Sequence, residues 1–210
     1  MSANVQFKTG FESEDQYLTF YSKSADIKAR QLSNFSDHSV CISYEFVGYK
    51  FKCLYPTGEH AFQGGKFMTL SLLLDESSSR REEFQEYSKL FQGNSLRECE
   101  LSTPSAAKSA GGRRGLSLTE DELSQWSHYS IIFQELICRE KMKYNEILEY
   151  LLSTRNKYLV HFERTTGWPR YGAMILKAEN SPFADGRRWV KGDNVLGEIW
   201  MTLRSELDSK

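Results

Sequence analysis

The sequence predicts a helix-rich α+β protein, with a small sheet or hairpins packed by helices. Strand-type alternation is confined to short runs: Val40, Ile42, Tyr44 and Phe46 alternate with Cys41, Ser43 and Glu45, and Tyr49, Phe51 and Cys53 resume it after Gly48. The longer patterned stretches open instead on helix-start signals, at Pro56-Thr57-Gly58, at Thr103-Pro104 and at Thr119–Glu122. Nor do strands and helices take turns along the chain as a parallel βαβ sheet requires. The 210 residues, 40% hydrophobic and 26% charged, suit one globular domain with insertions.

Residues 1–16 are polar and irregular and read as an N-terminal extension. Tyr17-Leu18-Thr19-Phe20-Tyr21 is a short β-prone run. The alternation over 40–53 is a hairpin with its turn near Val47-Gly48. Thr57 is placed to cap a helix reaching about Leu74, with Glu59 in the dipole-favoured first turn. Asp75–Ser79 is a polar break, and Arg80–Gln92 is helical up to Gly93-Asn94. Proline at the first helical position opens a short helix at 104 that stops at Gly111-Gly112. The T-x-x-E capping box at 119–122 starts a long helix to about Lys141, carrying Leu123, Trp126, Ile131, Phe133 and Ile137, and Asn145–Ser153 continues in helix. Tyr158–Phe162 and Tyr171–Leu176 read as strands. Asp193 is placed to cap a last helix with Leu196, Ile199, Leu203 and Leu207 on one face.

Composition excludes several classes. A net charge of −1 gives no general electrostatic grip on nucleic acid. A local patch from Arg80-Arg81, Arg113-Arg114 and Arg187-Arg188 would be needed, and these are equally three solvated pairs. No apolar run approaches the roughly 20 residues of a membrane span, and MSANVQFKTGFESEDQ lacks the apolar core of a signal peptide. The expected compartment is cytoplasmic, with the nucleus open. Cys41, Cys53, Cys99 and Cys138 form no C-x-x-C pair and have no histidine at ligand spacing, so they read as buried free thiols and no metal is expected. Walker A, G-x-G-x-x-G and G-x-S-x-G elements are absent, and no cofactor is expected.

The most informative stretch is Thr57–Phe67. On a helix, Glu59, Gln63 and Lys66 fall within about 60° of one another, an acid, an amide and an amine on one face. Such a face is either a solvated stripe or one flank of a bound ligand. Gly64-Gly65 costs about 1 kcal/mol per glycine in a helix, which points to something approaching the backbone there. Three further islands have two readings each. Arg30–Phe35 is a turn or a binding loop, and Trp126 is a core tryptophan or a stacking platform. Gly192–Gly197 is a capped helix start or an anion site. Arg113 and Arg114, just past Gly111-Gly112, are a phosphate contact or an exposed basic loop.

Taken in order, these islands resemble the YbiA-like or NADAR (NAD- and ADP-ribose-associated) family. The matching pieces are Phe20-Tyr21, Ser33-Asn34-Phe35, and Glu59-His60 with Gln63, Lys66 and Phe67. Trp126, Leu151-Leu152-Ser153-Thr154 and Leu159-Val160 follow, then Gly192, Asn194, Leu196, Gly197, Met201 and Arg204. The resemblance covers about 17–207 and implies a single domain over that range, with 75–102 as a candidate enlargement. Where many members carry D-x-x-W-G after the L-V strand, this chain has His161 next, and Trp168 or Tyr171 stands for the family tryptophan.

The resemblance implies an N-glycosidase cleaving the bond between ribose C1 and a base nitrogen. The expected substrate is ADP-ribosylated guanine in nucleic acid or nucleotide, with ADP-ribose as product. The alternatives are phosphoribosylamino-pyrimidine intermediates of riboflavin synthesis and a non-catalytic ADP-ribose-binding module. Glu59 is the expected carboxylate, stabilising the oxocarbenium-like centre and activating water; alternatively Lys66, as an amine nucleophile, attacks C1 and forms an imine, and either of the two is the primary catalyst. Asn34, Phe35, His60, Gln63, Arg113, Trp126 and Asn194 are the expected substrate-binding residues, with diphosphate near Arg113 and Asn194. No obligate protein partner is expected.

Overall fold

The computed structural model describes residues 9–46, 48–165, 167, 169–181, 183 and 185–208. Its elements run β1 (Gly10–Phe11), β2 (Tyr17–Phe20), α1 (Ile27–Arg30), β3 (Val40–Phe46), β4 (Tyr49–Tyr55), α2 (Gly58–Leu72), α3 (Ser79–Lys89) and α4 (Pro104–Gly111). They continue as α5 (Glu120–Lys141), α6 (Asn145–Ser153), β5 (Tyr158–His161), β6 (Met174–Leu176), β7 (Arg188–Lys191) and α7 (Val195–Asp208), a helix-rich α+β fold. Two compact units emerge, one from residues 34–145 and one from the stretches up to 33 and from 146 onward.

In the unit of residues 34–145, α2 is the central element, packed by α3, α4, α5 and the β3–β4 hairpin. The hairpin is antiparallel, with Val40 opposite Tyr55 and Ile42 opposite Cys53, so its inward positions face one core. Gly48 takes the turn at φ +78°, a conformation glycine adopts without steric cost; Val47, the other expected turn residue, lies outside the described residues. Thr57 caps α2 by accepting the His60 N–H, and both halves of the capping box at Thr119 and Glu122 are formed.

Burial of α2 is nearly complete, and its paired glycines show why. A Cβ on Gly65 would overlap the Phe133 ring, and one on Gly64 would press on Phe91 and Tyr55. The close approach that Gly64-Gly65 foretold is therefore made by the protein's own aromatic rings and not by a ligand. Phe67 stacks among Phe84, Tyr87 and Phe91. Phe84 and Phe91 are fully buried, so the segment read as an enlargement at 75–102 supplies part of this core.

In the other unit, β2 and β5 pair in parallel, Tyr17 with Tyr158 through Phe20 with His161. β1, β7 and β6 form an antiparallel three-stranded sheet in that order. This corrects the reading of residues 1–16 as an extension. Gly10-Phe11 is a strand, and Phe11 is buried with Val160, Ala173 and Val190. A two-residue strand is too short to show alternation, so only its partner reveals it. α7 buries Leu196, Trp200 and Leu203, and the Trp200 indole N–H donates to the Leu32 carbonyl at 2.9 Å.

The expected strand over 171–176 begins only at Met174, because the backbone before it turns to α7. The N–H groups of Asp193, Asn194, Val195 and Leu196 donate to the carbonyls of Pro169, Gly172, Arg170 and Tyr171 at 2.8–3.2 Å. α6 is likewise a separate helix, divided from α5 by a turn over 142–144. No helix among the described residues is long and apolar enough to cross a membrane.

Candidate functional site

α2 carries a hydrogen-bonded row of acid, amide and amine. The Gln63 side-chain amide donates to Glu59 Oε1 at 2.9 Å, and Lys66 Nζ donates to Gln63 Oε1 at 3.1 Å. Gln63 therefore joins the carboxylate to the amine, each end of its amide matched to the opposite charge. Lys66 also donates through a very short contact to the carbonyl of Gly111, at the C-terminal end of α4. Glycine is required there, since a Cβ on Gly111 would collide with the Gln63 amide. The row is not a solvated stripe: Glu59 and Lys66 are buried, 7% and 5% exposed, and Gln63 between them is half-buried.

Burial decides the protonation chemistry. Desolvation pulls Lys66 down from 10.5 to about 8, and the nearby Glu59 charge only partly opposes it. At pH 7 roughly a tenth of such an amine is neutral, against well under a thousandth for a free lysine. The site thus holds a nucleophilic nitrogen, a carboxylate and an amide that orients both.

The residues around this row are placed by partners that sequence inspection did not reveal. The Glu59 N–H donates to the Asn34 carbonyl at 2.8 Å. The Asn34 side chain forms a reciprocal amide pair with Gln134, at 2.8 and 3.0 Å. Asn34 thus holds its loop against α5, which gives it a positioning role. Gln134 was legible only as a polar residue between the buried Phe133 and Ile137. Gly111, read simply as a helix stop, gave no signal of its role.

His60 is corrected in the same way. It is fully buried, with Nδ1 2.8 Å from the Thr57 hydroxyl and Nε2 2.6 Å from the Leu101 carbonyl. A carbonyl only accepts, so the ring proton sits on Nε2 and Nδ1 accepts from Thr57. Burial lowers its pKa and keeps it neutral, and both nitrogens are occupied. Trp126 is a core residue, 7% exposed and edge-to-face with Phe62 and Phe133 at 5.2 and 5.9 Å. Half-buried Phe35 is the better placed aromatic, with Lys108 Nζ 5.7 Å from its ring centre.

Asn194 lies in the other unit and also has a structural task. Its Oδ1 accepts the His161 N–H at 2.9 Å and its Nδ2 donates to the Leu159 carbonyl at 2.8 Å, at φ +53°. The N–H groups that begin α7 are already held by backbone carbonyls. The N–H groups of residues 193–196 are thus taken up by the chain itself, which favours the capped-helix reading of Gly192–Gly197 over the anion-site reading. Tyr171, one candidate for the family tryptophan, contributes its carbonyl to that cap; Trp168, the other, lies outside the described residues.

No protein-family model matches the sequence, and no curated protein matches it. What the site can do therefore rests on its own geometry. Among the described residues, no group of three His, Cys, Asp or Glu side chains is arranged to hold a metal ion.

Proposed function

We propose that this protein is an N-glycosidase of the NADAR type, which releases ADP-ribose from ADP-ribosylated guanine by cleaving the bond between ribose C1 and the base nitrogen. The observation that carries this reading is the low-pKa amine of Lys66 tied through Gln63 to the Glu59 carboxylate. The motif order that prompted the resemblance supports it independently.

The neutral Lys66 amine attacks C1 as the C1–N bond breaks, and the bonding pair leaves with the base, which takes up a proton. The Glu59 carboxylate faces the positive charge building on C1 and the ring oxygen, and accepts the proton shed by the attacking nitrogen. Glu59 then gives that proton to the ring oxygen as the ring opens, which converts the adduct to an imine and restores the carboxylate. Water activated by Glu59 adds to it and expels the amine, so the net change is one water consumed per base and ribose separated. Gln63 keeps acid and amine in register, and Gly111 leaves room for it to do so.

The test is incubation with a guanine-ADP-ribosylated oligonucleotide, read by mass spectrometry for free ADP-ribose. Cyanoborohydride in the reaction should trap an adduct on Lys66. Release by the wild type and none by Lys66→Ala is the expected outcome. Release that survives in both Lys66→Ala and Glu59→Gln would overturn the assignment. Turnover of a phosphoribosylamino-pyrimidine instead would redirect it to a smaller substrate, and tight ADP-ribose binding without any turnover would leave a binding module.

A further inference from the structure

Three arginine pairs stand in this sequence, and their surroundings separate them. Arg80 is held by Glu83 at 2.7 Å and Glu122 at 3.0 Å, while Arg81 donates to the Leu74 carbonyl and lies over the Tyr49 ring. Arg187 pairs with Glu12 at 3.4 Å and Arg188 with Glu14 at 2.9 Å. Arg113 and Arg114 have no carboxylate partner among the described residues, and neither does Lys108. These three cations, with Ser105, Ser109 and Gly112, line an open depression of about 350 Å³ at the end of α4.

The lining is ordered by the helix. Ser105, Lys108, Ser109 and Gly112 stand at i, i+3, i+4 and i+7, within about 100° of one another and along roughly 10 Å of axis. Two guanidinium forks, one ammonium and two hydroxyls meet there with no acid in the wall. The carbonyl end of α4 carries roughly half a negative charge, which opposes an anion. Three full positive charges outweigh it, and Lys66 already covers the Gly111 carbonyl. Planar forks paired with hydroxyls match the oxygens of phosphate better than a lone carboxylate.

We propose that this depression is a phosphate-binding site, formed by Lys108, Arg113 and Arg114 with the hydroxyls of Ser105 and Ser109. It deepens the proposed function, which expects a diphosphate near Arg113, yet it fails or stands by itself, since phosphate binding here needs no turnover by Glu59 or Lys66. Its phosphates come either from a nucleic-acid strand or from a small diphosphate. The half-buried Phe35 ring beside Lys108 offers a flat apolar surface next to the anion.

Binding of inorganic pyrophosphate, of ADP-ribose and of a labelled single-stranded oligonucleotide is measured by titration. The wild type, Arg113→Gln/Arg114→Gln and Arg187→Gln/Arg188→Gln are compared. The double change at 113 and 114 should weaken the bound phosphate ligand by about tenfold or more. The change at 187 and 188 should leave it as in the wild type. If the strand is the source, its affinity falls with salt at a log–log slope of about −2 for three contacts, and about −0.7 in the 113/114 variant. If a small diphosphate is the source, pyrophosphate and ADP-ribose bind and the strand does not. Failure of all three probes to bind, or equal binding by the wild type and the 113/114 variant, overturns the site. Unchanged thermal melting of that exposed double variant, and a parallel Lys108→Gln variant, separate lost binding from lost folding.

Discussion

The two units each bury a polar cluster, and the two clusters differ in what their side chains touch. In the unit built from 1–33 and 146–210, Asn194 and the start of α7 are matched to backbone groups of the 159–172 region. Backbone partners do not titrate. In the unit of 34–145, the Glu59–Gln63–Lys66 row pairs side chain with side chain and ends on a single carbonyl. Lys66 carries a charge that burial disfavours, so its protonation responds to the environment. A buried polar group held by backbone fixes a fold. One held by an ionisable neighbour can change state and exchange a proton. Both clusters contain residues that the family resemblance singles out, yet they answer to different physics.

The largest effect that can break this comparison is on turnover. Lys66→Ala should lower glycosidase activity at least about a thousandfold while leaving the protein folded, as seen by activity assay and circular dichroism. A variant that unfolds would put Lys66 in the same structural class as Asn194. Asn194→Ala should cost about 2–4 kcal/mol in urea denaturation, because two buried backbone groups lose their partners. A loss well under 1 kcal/mol would show that the α7 start does not depend on that side chain.

The pH response sharpens the contrast further. Lys66 binds its proton less tightly when folded, about 8 against 10.5, so the unfolded state holds more protons across that window. Its charge penalty is present in full below pH 8 and fades as pH rises toward 10.5. The stability of Lys66→Met relative to the wild type should therefore fall by about 3 kcal/mol as pH rises from below 8 to above 10.5. Denaturation at a series of pH values measures it, and a constant gap would contradict a shifted lysine. Asn194→Ala should show a loss that varies little between about pH 7 and 9, below the titration of the Tyr158 hydroxyl beside it.

Smaller effects test the scaffold. Gly65→Ala should destabilise by about 1–3 kcal/mol, since the methyl meets the Phe133 ring and this outweighs the helix-propensity gain of about 1 kcal/mol. Thr119→Ala should cost about 1 kcal/mol through loss of one half of the α5 capping box. Both are read from thermal melts, and neither should alter the Lys66 pH window.

Local signals in the chain sufficed for much of this. The caps at Thr57, Thr103 and Thr119, the glycine turn at 48 and the period-2 alternation of β3 and β4 act within a few residues of their own effect. The one-face placement of Glu59, Gln63 and Lys66 follows from helical periodicity alone. Where sequence reading failed, the deciding partner lay far along the chain. Gly10-Phe11 is a strand because of Arg188 and Trp189, and His60 is occupied because of Leu101. Asn34 is paired because of Gln134, and the start of α7 is filled by 169–172.

By itself, then, the sequence determined where helices begin, which residues share a face and that acid, amide and amine would lie in a row. Only the tertiary structure decided that the two charged ends of this row are buried, that its glycines admit aromatic rings, and that one arginine pair of three has no acid partner among the described residues. The physical reason is range. Caps and periodicity are properties of neighbouring residues, whereas desolvation and charge pairing depend on what distant segments bring alongside.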